Sequence, residues 1–160
     1  MDEKREKKPD VFKDISNNKK ARFEYEIIET FEAGLVLKGT EVKSLRTGKA
    51  NINDAFAKIS DGEAYIHQMH ISVYEMGNRY NHDPDSVRKL LMKKKEIRRL
   101  FGTLTEKGLT LVPLKLYFKN GKVKILLGLG KGKTNYDKRE SIQKKEAQRE
   151  IQRAMKNRSR

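Results

Sequence analysis

The sequence predicts a mainly β fold: an OB-fold-like antiparallel six-stranded barrel with two to three appended helices and a basic C-terminal tail. Three observations carry this expectation. Apolar residues recur with period two in short stretches between Phe23 and Leu129. Two turn signals, around Asp61-Gly62 and at Asn120-Gly121, each join a pair of those stretches. The last 30 residues hold few apolar side chains and nearly half of the net charge, so they stand apart from any core.

The elements follow in chain order. Phe23, Tyr25, Ile27 and Phe31 point one way and Glu24, Glu26 and Glu32 the other, as in a half-buried strand. Gly34 is expected to break it, with Leu35-Val36-Leu37 as a second strand. Thr40 is the expected N-cap of a short helix that buries Val42 and Leu45 and ends at Gly48. Residues 55–59 and 64–71 read as a hairpin, and 75–87 as a polar, turn-rich loop. Ile97, Leu100, Phe101 and Leu104 have the spacing of one buried helix face, with Gly108 as C-cap. Val112, Leu114, Leu116 and Phe118, then Val123, Ile125, Leu127 and Leu129, make the strongest hairpin; Pro113 predicts an edge or a bulge within it. The expected organisation is an N-terminal arm at 1–16, a barrel at 17–130 and a tail at 131–160, disordered or marginally helical when free.

Composition bounds the function. The chain has 160 residues, 36% hydrophobic and 37% charged, with a formal net charge of +15. It contains no Cys, which excludes disulfides, thiol nucleophiles and Cys-ligated zinc. No apolar run approaches a membrane span, and the charged first residues do not resemble a secretory signal, so a soluble cytoplasmic protein is expected. Residues 11–130 carry 22 basic and 14 acidic side chains, and residues 131–160 carry 11 and 4. A basic domain with a basic tail points to nucleic acid, because each cation that neutralises a phosphate releases condensed counterions.

Few motifs suggest other chemistry. Gly132-Lys133-Thr134 imitates the end of a phosphate-binding loop, but the position of the required first glycine is Leu127. His67 and His70 lie three apart in a strand pattern and so face opposite ways, which disfavours a shared metal. His82 sits in the polar loop without a nucleophile partner. No cofactor, metal or catalytic group is expected. The basic clusters are more informative: Lys19, Lys20 and Arg22 precede aromatic Phe23 and Tyr25, and Lys43, Arg46 and Lys49 crowd the first helix. In the tail, Asp137 and Glu140 have capping-box spacing, with Asp137 as the expected N-cap, and Glu140–Lys144 adds an i,i+4 pair.

Several blocks then carry a resemblance: Asn18-Lys19-Lys20-Ala21-Arg22, Phe31-Glu32-Ala33-Gly34, Gly39-Thr40-Glu41-Val42-Lys43-Ser44-Leu45-Arg46, Asn81-His82-Asp83-Pro84, Arg88-Lys89-Leu90-Leu91, Lys107-Gly108-Leu109-Thr110-Leu111-Val112-Pro113 and Tyr136-Asp137-Lys138-Arg139. In this order they resemble the small protein B, or SsrA-binding, family of bacterial trans-translation. The resemblance implies a monomer when free, a non-enzymatic adaptor that binds the tRNA-like domain of transfer-messenger RNA and enters stalled ribosomes. It implies that the tail occupies the decoding centre and empty message channel, while the stalled peptide is tagged for proteolysis.

The same resemblance implies site residues. Glu32 would accept hydrogen bonds from base edges, and Lys20, Arg22, Lys43 and Lys89 would contact phosphates. Leu91 would pack on the RNA, with Lys93 beside it; Lys19, Arg46 and Lys49 complete the expected RNA set. Tyr136 would stack in the decoding centre, Asp137 would start the tail helix, and Lys131, Lys133, Lys138 and Arg139 would meet ribosomal RNA. Phe23 stands where the family often has His, Lys93 where it often has Asn or His, and Thr134 where Lys is common. The alternative reading is a general ribosomal or RNA-binding protein without a rescue role.

Overall fold

The computed structural model describes residues 8–158, apart from the side chains of residues 78 and 79. Residues 1–7 of the expected arm and residues 159–160 of the tail lie outside the described residues. In chain order the elements are β1 (Phe12–Asn17), α1 (Lys19–Glu24), β2 (Tyr25–Leu35), α2 (Gly39–Arg46), β3 (Ala50–Asn51), β4 (Phe56–Ser60), β5 (Glu63–His67) and β6 (His70–Ile71). A 3-10 turn (Glu75–Tyr80), β7 (Arg88–Leu91), α3 (Lys94–Lys107), β8 (Thr110–Lys119), β9 (Lys122–Gly132) and α4 (Asn135–Arg158) follow. The ladder β8-β4-β5-β7-β2-β9 closes because β9 also pairs with β8, so six antiparallel strands form a ring. Closure leaves the six-stranded ring without a free edge of its own, and β1 adds to it on β8.

Alternation holds within each strand segment but not across the register shifts. Tyr25, Ile27, Val112 and Leu114 belong to a second cluster, not to the face of Phe31, Leu116 and Phe118 as expected. Phe31, Ile66, Leu90, Leu111, Leu116, Ile125 and Leu127 belong to the main core, closed by Ile97 and Leu100 of α3. Both tight turns are real: Asp61 and Gly62 have φ of 50° and 74°, and Asn120 and Gly121 have 51° and 79°. Positive φ at both central residues matches the turn twist to that of the strands. Pro113 lies at a register shift in β8, so the bulge alternative holds. Gly108 ends α3 in the left-handed region with φ 60°.

Several expectations change. Residues 12–16 do not form a separate arm, because β1 pairs with β8 from Phe12 to Asn17. Phe23 does not start a strand. Asn18 caps α1 by accepting from the Ala21 N–H at 3.0 Å, while its amide donates to the Pro113 carbonyl at 2.8 Å. Ala21 then packs in that second cluster with Val112 and Leu114. β2 runs through Gly34, where a Cβ would lie 3.2 Å from the Leu91 Cβ; the glycine admits β7 rather than breaking the strand. Leu35–Leu37 is therefore no second strand, and the ring's sixth member is the short β7. The expected strand at 64–71 divides at Gln68, whose φ is 58°. Gly128 and Gly130 lie within β9, where an added Cβ would meet Leu114 Cδ1 at 3.0 Å and Tyr25 Cβ at 2.9 Å. Phe101 is 57% exposed and does not join Ile97 and Leu100 in the core.

Helix α2 is capped differently from the expectation. The Lys38 N–H donates to Glu41 Oε1 at 2.9 Å, and Thr40 instead hydrogen-bonds with His82 Nδ1 at 2.9 Å. The other carboxylate oxygen of Glu41 receives the Arg88 guanidinium in a buried ion pair. Arg88 also donates to the carbonyls of Met69, Ser86, Asp83 and Pro84. One side chain thus ties α2, β7 and the long loop between β6 and β7. Removing one partner of a buried pair strands the other charge. Arg88→Met should lower the unfolding free energy by about 3–5 kcal/mol in urea titration, whereas exposed Lys58→Met should change it by about 0.5 kcal/mol or less.

Candidate nucleic-acid interface

Three expected residues meet in one groove between β2, β7 and the start of α3. Glu32, Leu91 and Lys93 line it together with Lys124, Arg99 and Glu96. β2 supplies Glu32 on its outward face, opposite the core face of Phe31 and Ala33. Gly34 pairs with Leu91, which sets an exposed Leu side chain beside the strand. Lys93 is the N-cap of α3 and enters where that helix begins. Arg99 reaches back from α3 to Glu29 at 2.8 Å and lies 5.2 Å from the Phe31 ring centroid.

Glu32 is held as well as exposed. Its carboxylate accepts from the Tyr117 hydroxyl and from Lys119 Nζ, the latter at 3.2 Å. The Tyr117 hydrogen bond, with the nearby Lys119 and Lys124 charges, keeps the carboxyl below its ordinary pKa despite partial desolvation. Burial and the Glu32 carboxylate push the Tyr117 phenol well above its ordinary range. Glu32 is thus an ionised, oriented acceptor, a form suited to donors on a nucleobase edge.

The remaining cations lie outside that groove. Lys89 is on β7, paired with Glu63 at 3.5 Å. Lys43 and Arg46 are on α2; Lys43 Nζ sits 5.6 Å from the Tyr74 ring centroid. Lys49 follows α2 and pairs with Glu75 at 3.3 Å. Lys19, Lys20 and Arg22 are on α1, with Lys20 at 3.7 Å from both Glu24 and Asp54. These pairs are solvent-exposed and weak enough to exchange for phosphate. The sequence reading did not single out Lys124, Arg99, Tyr117 and Lys119. Tyr117, Lys119 and Lys124 occupy outward positions in the strong hairpin, and that alternation was the available signal.

The tail set divides too. Lys131 lies in β9, and Tyr136, Lys138 and Arg139 are on α4, which has no buried residue. Asp137 is not the N-cap. Thr134 holds that place: its N–H and hydroxyl donate to Asp137 Oδ2 at 3.3 and 3.0 Å, and the Asp137 N–H donates to Thr134 Oγ1 at 3.3 Å. This reciprocal pattern puts Asp137 at the third helical position. Lys133 Nζ bonds to the Arg22 carbonyl and to Ser141 Oγ, at 3.2 and 2.9 Å.

The histidines have local partners. His67 stacks on Phe56 with centroids 5.3 Å apart. His70 Nδ1 lies 2.9 Å from Asp85, and buried His82 bonds to Thr40 and the Ile71 carbonyl. Among the described residues no group of three or more His, Cys, Asp or Glu is placed to hold a metal ion.

The model of the SmpB protein family matches residues 15–157. The chain belongs to the SmpB family. Its relatives include an SsrA-binding protein of Anoxybacillus flavithermus, 62% identical over 144 residues, covering 90% of this chain and 94% of that protein. The SsrA-binding protein of Bacillus subtilis is 62% identical over 140 residues, covering 88% and 90%. A chain of the solved structure "tmRNA-SmpB: a journey to the center of the bacterial ribosome" superposes with TM-score 0.65 at 50% identity, covering 81% of this chain and 95% of that one. The SmpB match opens inside β1 and closes near the end of α4, so it takes in both barrel and tail.

The Glu32–Tyr117 contact is directly testable. Tyr117→Phe removes the largest influence lowering the Glu32 pKa, so the carboxyl midpoint should rise in an NMR titration. A depressed carboxyl stabilises the fold above its unfolded pKa and loses that contribution as pH falls through the folded one. The variant should be about 0.5–1.5 kcal/mol less stable at neutral pH, at most, and the gap should close on acidification.

Proposed function

We propose that this chain is a non-catalytic adaptor of trans-translation. It binds the tRNA-like domain of transfer-messenger RNA with its barrel and carries that RNA into stalled ribosomes, where α4 enters the decoding centre and empty message channel. The observation that carries this reading is the pairing of a cationic closed barrel with an exposed basic helix of 24 residues. At about 1.5 Å per residue such a helix reaches roughly 36 Å. Its cations recur along it: Lys138, Lys145, Arg149 and Lys156 fall on one side, away from Ala147, Ile151, Ala154 and Met155.

In this reading the Glu32 groove gives the barrel its selectivity. Leu91 supplies an apolar shelf, Lys93 and Lys124 supply charge, and Glu32 takes donors from an unstacked base. Lys19, Lys20, Arg22, Lys43, Arg46, Lys49 and Lys89 bind the backbone. Tyr136 stacks on a base of the decoding centre, worth about 1–3 kcal/mol, and Lys131, Lys138 and Arg139 meet ribosomal RNA. The working compartment is the cytoplasm, where ribosomes translate; no described helix is long and apolar enough to cross a membrane.

Deleting residues 135–160, which leaves β9 and the Lys133 contacts to α1 in place, separates this reading from that of a general RNA-binding protein. Binding to transfer-messenger RNA should persist while peptide tagging on stalled ribosomes is lost; joint loss of both refutes the two-part division. Incubation with RNA, and with ATP and magnesium, should give no turnover that tracks the protein. Within the barrel, Glu32→Ala should weaken RNA binding with little change in salt dependence, and Lys43→Ala should lower the salt slope by about one. Unchanged affinity and slope in both variants would mean that the RNA lies elsewhere.

A further inference from the structure

The tail helix leaves the barrel through a small polar joint built around Lys133. α1 is only six residues long, so its last carbonyls have no partners within the helix. Lys133 satisfies two of them. Its backbone N–H donates to the Glu24 carbonyl at 2.8 Å, and its ammonium donates to the Arg22 carbonyl at 3.2 Å. A cation at the C-terminal end of a helix is also favoured by the peptide dipoles there. The same ammonium donates to Ser141 Oγ at 2.9 Å, and Ser141 donates to the Asp137 carbonyl at 3.0 Å. Lys133 and Ser141 are half-buried, whereas most of α4 is exposed. One side chain therefore bridges the end of α1 and the second turn of α4, just beyond the Thr134–Asp137 cap.

We infer that Lys133 is a positioning residue that fixes the direction in which α4 leaves the barrel, by joining the Arg22 carbonyl to Ser141, rather than a direct contact to ribosomal RNA. The joint matters because α4 buries no residue. A helix of roughly 36 Å turns a small angular error at its base into a large displacement at its tip. α1 also carries Lys19, Lys20 and Arg22, so the joint would hold the tail in a set relation to that basic helix. The consequence for tagging rests on the proposed function; the geometric claim does not.

The test uses the full chain with spin labels on cysteines introduced by Ser60→Cys and Gln152→Cys, since the chain has no cysteine of its own. Lys133→Met and Ser141→Ala should both broaden the label–label distance distribution, and Lys133→Arg should restore most of the wild-type one. Both disruptive variants should keep RNA affinity within about twofold, as expected of surface substitutions. Both should lower tagging on stalled ribosomes by about tenfold, the order of effect that misplacement of a functional group produces. The salt slope of ribosome association should stay unchanged. The inference is overturned if Ser141→Ala, which keeps the charge, leaves distances and tagging at wild-type values. It is also overturned if Lys133→Met lowers the salt slope by about one, since that marks a lost phosphate contact. Broadened distances in a protein whose wild type does not support tagging would uphold the joint and refute the proposed function instead.

Discussion

The Glu41–Arg88 pair is the constraint on which the working surface depends. A guanidinium and a carboxylate taken out of water are costly unless each finds several partners. Here they do: Glu41 also accepts the Lys38 N–H, and Arg88 also takes up four backbone carbonyls. The result is a fixed start for β7. Leu91 lies three residues farther along this strand and Lys93 five residues beyond Arg88, so both inherit their places from the buried pair. The loop that β7 must follow is long and polar, and without Arg88 its carbonyls would lack these donors. Energy spent on burying two charges therefore defines the geometry of a groove rather than the depth of a core.

The barrel and the tail use opposite strategies. Ring closure through β9 gives the barrel a dry interior and leaves its outward strand positions free for charge. Glu32, Tyr117, Lys119 and Lys124 exploit those positions, alternating with core residues on the same strands. In α4 the helix is instead held by its own backbone bonds, a Thr134–Asp137 cap and an exposed Glu140–Lys144 pair. Such local terms are individually worth only fractions of a kcal/mol to about 1 kcal/mol. A nucleic-acid surface can thus reshape the tail at small cost while the barrel keeps its form.

The parts legible in the sequence were those fixed by local rules. The hairpin from Thr110 to Gly132 showed itself through alternation and Asn120-Gly121, and α3 through Ile97, Leu100 and Gly108. The parts that eluded it depend on distant partners. β7 is four residues long, and with Arg88 turned inward and Leu91 outward its sequence hides the alternation; it is a strand because β5 and β2 flank it. α1 looked extended because the Asn18 side chain, which caps it, is fixed by the Pro113 carbonyl far along the chain. Glu32, Leu91 and Lys93 were identified by resemblance to the SmpB family, and the groove that unites them became visible only when β2 and β7 were paired. Thr134, which stands where Lys is common in the family, is the cap of the tail helix.

The absence of any fully buried residue in α4 has a thermodynamic consequence. Unfolding raises the heat capacity mainly by wetting apolar area. A helix that covers so little can melt with only a small such signature, over a broad temperature range set largely by its own nucleation and capping. Calorimetry would then register chiefly the barrel, while far-ultraviolet circular dichroism would sum the two. Non-coincident melting curves from these methods would reflect two independently melting parts, not a partly folded state of the barrel.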